Sequence, residues 1–212
     1  MAQHNARFIT VEGGEGVGKS TNMQRVRELL EARGIELCVT REPGGTELGE
    51  RLRELLLATE GDGPCDTAEL LMIFAARAQH LSTVIEPALA QGRWVLCDRF
   101  TDATYAYQGF GRGLDIQHIE TLETLVQGHR RPDLSILLDV DPSVGLQRAA
   151  ERGSLDRFEQ QEAAFFERVR TGYLERVHNE PERWLVIDAG QSLESVSKAL
   201  SDGLNAWLDQ CL

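Results

Sequence analysis

The sequence predicts an α/β fold, a five-stranded parallel sheet flanked by helices on both faces, with a short mobile lid. Three observations predict it. Short apolar runs alternate with segments of helical period, the pattern of a mostly parallel sheet. A glycine-rich stretch, Gly13–Ser20, separates the first apolar run from the first helical one. An arginine-bearing helix end, Arg148 to Arg157, is broken by Gly153. The 212 residues suit one domain, 1–212, with the lid at about 148–159.

Phe8-Ile9-Thr10-Val11 reads as the first strand. A helix follows from about Lys19 to Arg33, with Met23, Val26, Leu29 and Leu30 on one face and Gly34 ending it. Ile35 to Thr40 is the second strand. Leu48, Leu52, Leu55 and Leu56 mark a short amphipathic helix, and Gly61, Gly63 and Pro64 a loop. Ala68 to Leu89 reads as one long helix, apolar on every side from Leu70 to Ala76, which places that part in a core or at a subunit contact. Trp94 to Cys97, Leu134 to Leu138 and Trp184 to Ile187 are three further strands, each followed by an aspartate. Val196, Leu200, Leu204, Trp207 and Leu208 form the inner stripe of a last helix.

With 34 acidic and 22 basic residues, the chain has a net charge of −12. That argues against nonspecific binding to nucleic acid or anionic membrane, which needs basic surface. It leaves room for a small anionic ligand held by local arginines. No apolar run approaches the ~20 residues of a membrane span, and Met1 to Arg7 lacks the apolar core of a signal peptide. Cys38, Cys65, Cys97 and Cys211 form no CxxC pair. The expected setting is the cytoplasm. The histidines at 4, 80, 118, 129 and 178 show no metal-ligand spacing and read as surface or core residues.

Gly13-Gly14-Glu15-Gly16-Val17-Gly18-Lys19-Ser20 fits the P-loop pattern GxxxxGK[ST], placed between a strand and a helix. Glycines let backbone N–H groups converge on phosphate oxygens, and the helix aims its positive end at the same anion. Lys19 is expected on the β/γ-phosphates and Ser20 on Mg²⁺. The expected ligands are therefore a nucleoside triphosphate, ATP, and Mg²⁺, with Thr21 completing the loop's contacts.

A P-loop alone does not say what receives the phosphate. The GTPase motifs DxxG and NKxD are absent. A small-molecule kinase needs a second anion site facing the loop and cations that close over the transferring group. Asp98-Arg99 emerges at the carboxyl edge of the sheet, where ligands bind in such folds. Asp98 there is a candidate for the metal through water, and Arg99 for a clamp on the acceptor phosphate. An ion pair capping the strand is the other reading. Arg148 and Arg152, four apart, share a helical face and with Arg157 could swing over the γ-phosphate, Gly153 acting as hinge. A solvated charged helix end is the alternative.

Arg41-Glu42-Pro43-Gly-Gly45, Asp98-Arg99, Tyr107-Gln-Gly-Phe-Gly-Arg112 and the stretch Arg148 to Arg157, in that order, resemble the thymidylate kinases from about Phe8 to Asp188. The resemblance implies transfer of the γ-phosphoryl of ATP to dTMP with Mg²⁺, in a homodimer. With no arginine among Gly14, Glu15, Gly16 and Val17 and three in the lid, the chain is similar to the bacterial lid-arginine type. This implies Arg152 as catalytic, alongside Lys19 and Arg99, and Arg148 on ATP. Glu15 is implied near the acceptor sugar's 3′-hydroxyl or metal-bound water. For dTMP it implies Phe74 stacked on thymine, Arg77 donating to a thymine carbonyl, and Thr104 and Gln108 as further base contacts. Tyr107 is implied under the sugar, Pro43 and Leu52 as walls, and Arg53, Arg41 and Glu42 nearby. Glu159 is implied near the transferred phosphate. Without the resemblance, Phe74 is simply core. Another nucleotide or nucleoside kinase, and an ATP-binding regulator, are the competing readings.

Overall fold

A computed structural model describes residues 6–151 and 156–212. Five strands form one sheet: β1 (Phe8–Glu12), β2 (Leu37–Arg41), β3 (Trp94–Asp98), β4 (Leu134–Asp139) and β5 (Trp184–Asp188). All pairings are parallel, in the order β2-β3-β1-β4-β5. Register is fixed by pairs such as Phe8 with Val95 and Ile9 with Leu134. β2 starts at Leu37 rather than Ile35, because Ile35 closes the end of the preceding helix by donating its N–H to Leu30.

Helices cover both faces: α1 (Lys19–Ala32), α2 (Glu47–Leu57), α3 (Asp66–His80), α4 (Glu86–Ala90), α5 (Thr101–Thr104), α6 (Ile116–Gln127), α7 (Pro142–Ala150), α8 (Ala163–Asn179) and α9 (Leu193–Cys211). Ile9 and Val11 face one side, against Val26, Leu30, Leu200 and Leu204 of α1 and α9. Phe8, Val95 and Cys97 face the other, against Leu81, Ile85 and Phe100, while Leu137 packs with Phe165, Val169 and Tyr173. Burial on both faces explains why the strands read as nearly unbroken apolar runs.

The expected single helix over 68–89 is three pieces. Between α3 and α4 lies a wide π-helical stretch, Leu81–Ile85, and Pro87, with no N–H to donate, follows it. A second π-helical stretch, Tyr105–Gly111, continues α5. Nor is α3 buried all round: Leu70, Ile73 and Phe74 are buried, but Leu71 is 52% exposed.

β1 lies between β3 and β4, so the chain leaves it at the point where strand order reverses. Open parallel sheets bind ligands there. The region is stiffened from below by Asp102, which accepts from Arg176 Nε at 2.9 Å and Arg183 Nη2 at 2.7 Å, joining α5 to α8 and the start of β5.

Candidate active site

The glycine-rich loop leaves β1 at Gly13 and enters α1 at Lys19, with Gly18 in the left-handed region (φ 83) and no side chain capping the helix. The first-turn N–H groups are thereby left to an anion. Gly16 has φ 67, and a Cβ there would lie 1.9 Å from the Gly145 carbonyl oxygen of α7. Only glycine lets the loop sit directly on that helix backbone. Gly14 lies open, Val17 is buried as the loop's anchor, and Ser20 and Thr21 are exposed at the helix start. Lys19 Nζ donates to the Gly14 carbonyl at 3.0 Å. Burial, then nearby Arg99, lowers its pKa, outweighing the carboxylates around it.

Arg99 is the only non-glycine residue with a positive φ, 67, among the described residues. Two bonds to β1 hold that turn: Arg99 N–H donates to the Val11 carbonyl (3.0 Å), and Phe100 N–H to Glu12 Oε1 (2.9 Å). The guanidinium is thereby aimed across the loop. Its Nη2 lies 2.6 Å from Glu15 Oε1 and 2.7 Å from the Tyr107 hydroxyl, which itself donates to Glu15 at 2.7 Å. Burial alone would raise the Glu15 pKa, but Arg99 and Lys19 hold it far below the usual carboxylate range. In return Glu15 drives the Arg99 pKa up against its burial.

From this cluster a cleft runs back between α3 and the segment after Arg99. Glu15, Arg99 and Arg53 stand at its mouth; Pro43, Ile73, Arg77, Thr104 and Gln108 line its depth. Arg77 is 1% exposed. Its Nε donates to Glu42 Oε2 (2.7 Å) and its Nη2 to Thr104 Oγ1 (2.9 Å). Its Nη1 is buried and has no partner among the described residues. Gln108 donates through Nε2 to the fully buried Glu69 at 2.8 Å, leaving Oε1 for another partner. Arg53 donates to the Pro43 carbonyl at 3.0 Å, and Arg41 pairs with Glu50.

Two residues expected against the base, Phe74 as its stacking partner and Leu52 as a wall, sit elsewhere. Phe74 packs with Leu70, Tyr105 and Ile119, under the Arg77 guanidinium at 4.8 Å. The cleft wall on α3 is Ile73. Four residues before Arg77 is a rotation of about 40° on a helix, and three residues is about 60° the other way. The first turns into the cleft and the second toward α6. Similarly, Leu57 rather than Leu52 lines the cleft from α2. Glu42 does not line it through an open carboxylate, since both oxygens are engaged, by Arg77 and by His80.

Asp98 Oδ1 is buried with no partner among the described residues, and Asp98 and Ser20 line one open cleft beside the loop. A hard oxygen acceptor without a donor among the described residues, in the same cleft as a hydroxyl of the phosphate loop, fits Mg²⁺. No group of three His, Cys, Asp or Glu side chains converges on a metal among the described residues, so phosphate oxygens and water would supply most of its shell.

Of the lid, α7 ends at Ala150 with Glu151 as its C-cap. Arg148 Nη1 donates to the Ala189 carbonyl at 2.9 Å. Arg152 and Gly153 lie outside the described residues. Arg157, expected near phosphate, points into the α2–α3 side: its Nε donates to the Leu56 carbonyl (2.7 Å) and its Nη2 to Glu69. Glu159 Oε2 accepts from the Asp156 N–H at 3.1 Å.

Sequence reasoning missed Glu12, Glu69 and His80, all fully buried. A signal existed for His80: residues 73, 77 and 80 fall on one helical stripe, and two of them are polar in an apolar helix.

The thymidylate kinase family profile matches residues 11–200. A thymidylate kinase of Teredinibacter turnerae is 56% identical over 202 residues, 95% of this chain and 98% of that one. One of Pseudomonas syringae pv. tomato is 58% identical over 202 residues, 95% and 96% of the two chains. The crystal structure of the thymidylate kinase from Ehrlichia chaffeensis superposes with a TM-score of 0.77 at 32% identity, covering 96% of this chain and 99% of that one.

Proposed function

The chain belongs to the thymidylate kinase family, and from that premise we propose that it transfers the γ-phosphoryl group of ATP to dTMP, giving dTDP and ADP. One observation supports this reading above the others. A cleft lined by the buried Arg77, one of whose guanidinium nitrogens has no partner among the described residues, reaches Arg99 and the phosphate loop's Glu15. A nucleoside monophosphate laid in it would bring its base to Arg77 and its phosphate to Arg99.

In this reading a dTMP phosphate oxygen attacks the γ-phosphorus while the bond to the β–γ bridging oxygen breaks, and ADP leaves. The acceptor oxygen is already ionised, so no general base is needed. Positioning and charge stabilisation carry the catalysis. Lys19 and the amides of Gly13 to Ser20 hold the triphosphate, with Thr21 and Arg148 beside it. Arg99 clamps the acceptor phosphate and neutralises charge between the two nucleotides. Glu15 holds Arg99 and Tyr107 in place, and Tyr107 crowds the sugar. Arg77 Nη1 donates to a thymine carbonyl, with Gln108 and Thr104 completing the base site. Pro43 and Ile73 wall the base, and Arg53 adds charge at the mouth. Arg152 is assigned the closing cation of the lid. Asp98 and Ser20 would hold Mg²⁺, which neutralises phosphate charge when bound.

A homodimer is proposed as well, supported by Leu55 and Leu71, 60% and 52% exposed on α2 and α3. No helix among the described residues is long and apolar enough to cross a membrane. A cytoplasmic setting would keep the four free cysteines reduced. The deciding experiment is ADP release with dTMP, dUMP, dCMP, dGMP and thymidine as acceptors. Fast turnover confined to dTMP, with slower use of dUMP, is expected. Failure to use dTMP sinks the reading.

A further inference from the structure

His80 is 0% exposed, carries two hydrogen bonds, and is used by nothing in the chemistry above. Its Nδ1 lies 2.9 Å from Glu42 Oε1 and its Nε2 lies 2.6 Å from Thr40 Oγ1. A carboxylate oxygen only accepts, so Nδ1 carries a hydrogen toward Glu42, while Nε2 and the threonine hydroxyl share one. Glu42's other oxygen accepts from Arg77 Nε at 2.7 Å. A buried chain thus runs from β2 to the base end of the cleft: Thr40, His80, Glu42, Arg77, Thr104.

The neighbouring loop is shaped around this histidine. A Cβ on Gly45 would lie 2.6 Å from His80 Nε2 and 2.5 Å from Thr40 Oγ1, so Gly45, with φ 74, leaves the space the pair occupies. The glycine that follows the Arg-Glu-Pro-Gly motif therefore leaves room for His80 and Thr40.

Arginine and carboxylate prefer a two-pronged pairing, each oxygen on its own N–H. Glu42 does not make one: it meets Arg77 at Nε alone, while Nη2, on the same edge of the guanidinium, donates to Thr104 at 2.9 Å. The second oxygen is held away by His80. Released from the histidine, Glu42 would turn and pair with Nη2 as well, displacing Thr104 and turning the guanidinium.

We propose that His80 is a positioning residue for base recognition: by holding one oxygen of Glu42, it keeps Glu42 on Arg77 Nε alone and Arg77 Nη2 on Thr104, so that Arg77 and Thr104 stay placed for the acceptor's pyrimidine. This rests on the thymidylate kinase reading above and adds the determinant of its base site.

The test is steady-state kinetics on the full chain with dTMP and ATP varied separately, alongside the melting temperature of each variant. His80→Leu keeps bulk but loses the donor. It is expected to raise the dTMP KM on the order of tenfold, the scale of one buried hydrogen bond, with the ATP KM within twofold. His80→Asn, whose amide can donate to Glu42, should recover most of that loss. In a Glu42→Gln background the His80→Leu penalty should shrink, since an amide does not form the charged two-pronged pair. If His80→Leu does not fold, Thr40→Val, which leaves the histidine in place, is expected to raise the dTMP KM alone. An unchanged dTMP KM in the folded variant, equal losses for both substrates, or no rescue by Asn would overturn the proposal. A wild-type chain that does not phosphorylate dTMP would instead remove the reading on which it rests.

Discussion

Arg99 and Glu15 form one ion pair, 2.6 Å apart, between the end of β3 and the phosphate loop. The two residues are far apart in sequence, and the pair stands where the cleft meets the loop. It also fixes the only left-handed non-glycine residue among the described residues. Strain of this kind persists only where surrounding contacts over-determine it, and here the bonds to β1 and to Glu15 do so.

Arg99→Ala is expected to lower kcat/KM for dTMP by about 10²- to 10³-fold, the scale of losing one preorganised charge at a reacting centre. The ATP KM should move much less. Separate titration of the two substrates checks this, and wild-type-like turnover would remove Arg99 from the reaction.

Glu12 gives a pH dependence of opposite sign to most carboxylates. Burial first, then the nearby Asp102, push its pKa up from 4.5 to about 8, against the pull of Arg99. Between those values the folded state holds a proton that the unfolded state has lost. Stability is then full below the unfolded value and falls as pH rises through the folded one. Melting temperature is expected to decline from about pH 5 to pH 8 in part through this group. Glu12→Gln should flatten that slope, and an unchanged slope would show that Glu12 is ionised in the fold.

Ile73 and Phe74 should separate cleanly. Phe74→Ala is expected to cost about 3–5 kcal/mol of stability, as a fully buried aromatic does, with little effect on the dTMP KM of the folded enzyme. Ile73→Ala should raise that KM several-fold. The reverse assignment in denaturation and kinetic data would place Phe74 against the base.

Arg152→Ala is expected to lower kcat by roughly 10³-fold if that arginine closes on the transferring group, with the dTMP KM within a few-fold. Arg157→Ala should act differently, because Arg157 serves Glu69, with 0% exposure, and the Leu56 carbonyl. Glu69 keeps Arg112 and Gln108 as partners, so the loss should be about 1–3 kcal/mol, the scale of a charge-assisted hydrogen bond, and should appear in stability before turnover.

Gly145→Ala tests the seat of the lid helix on the phosphate loop. Its Cβ would lie 2.4 Å from the Glu15 carbonyl oxygen. Overpacking of this kind costs about 1–3 kcal/mol, and the displaced loop should raise the ATP KM more than the dTMP KM. Equal KM values would show that α7 can move without disturbing the loop.

The sequence by itself determined the five strands, the phosphate loop and the edge position of Asp98-Arg99. Those features are local: apolar periodicity, a glycine pattern, and the residues that end a strand. The tertiary structure decided which side of α3 faces the cleft, where Arg157 points, and which nitrogen of Arg77 has no partner among the described residues. A spacing of three or of four both read as one helical face, and only packing against α6 turned Phe74 inward and left Ile73 in the cleft. Glu12, Glu69 and His80 acquire their roles from partners dozens of residues away, and a charge in an apolar stretch does not name its partner until the chain is folded.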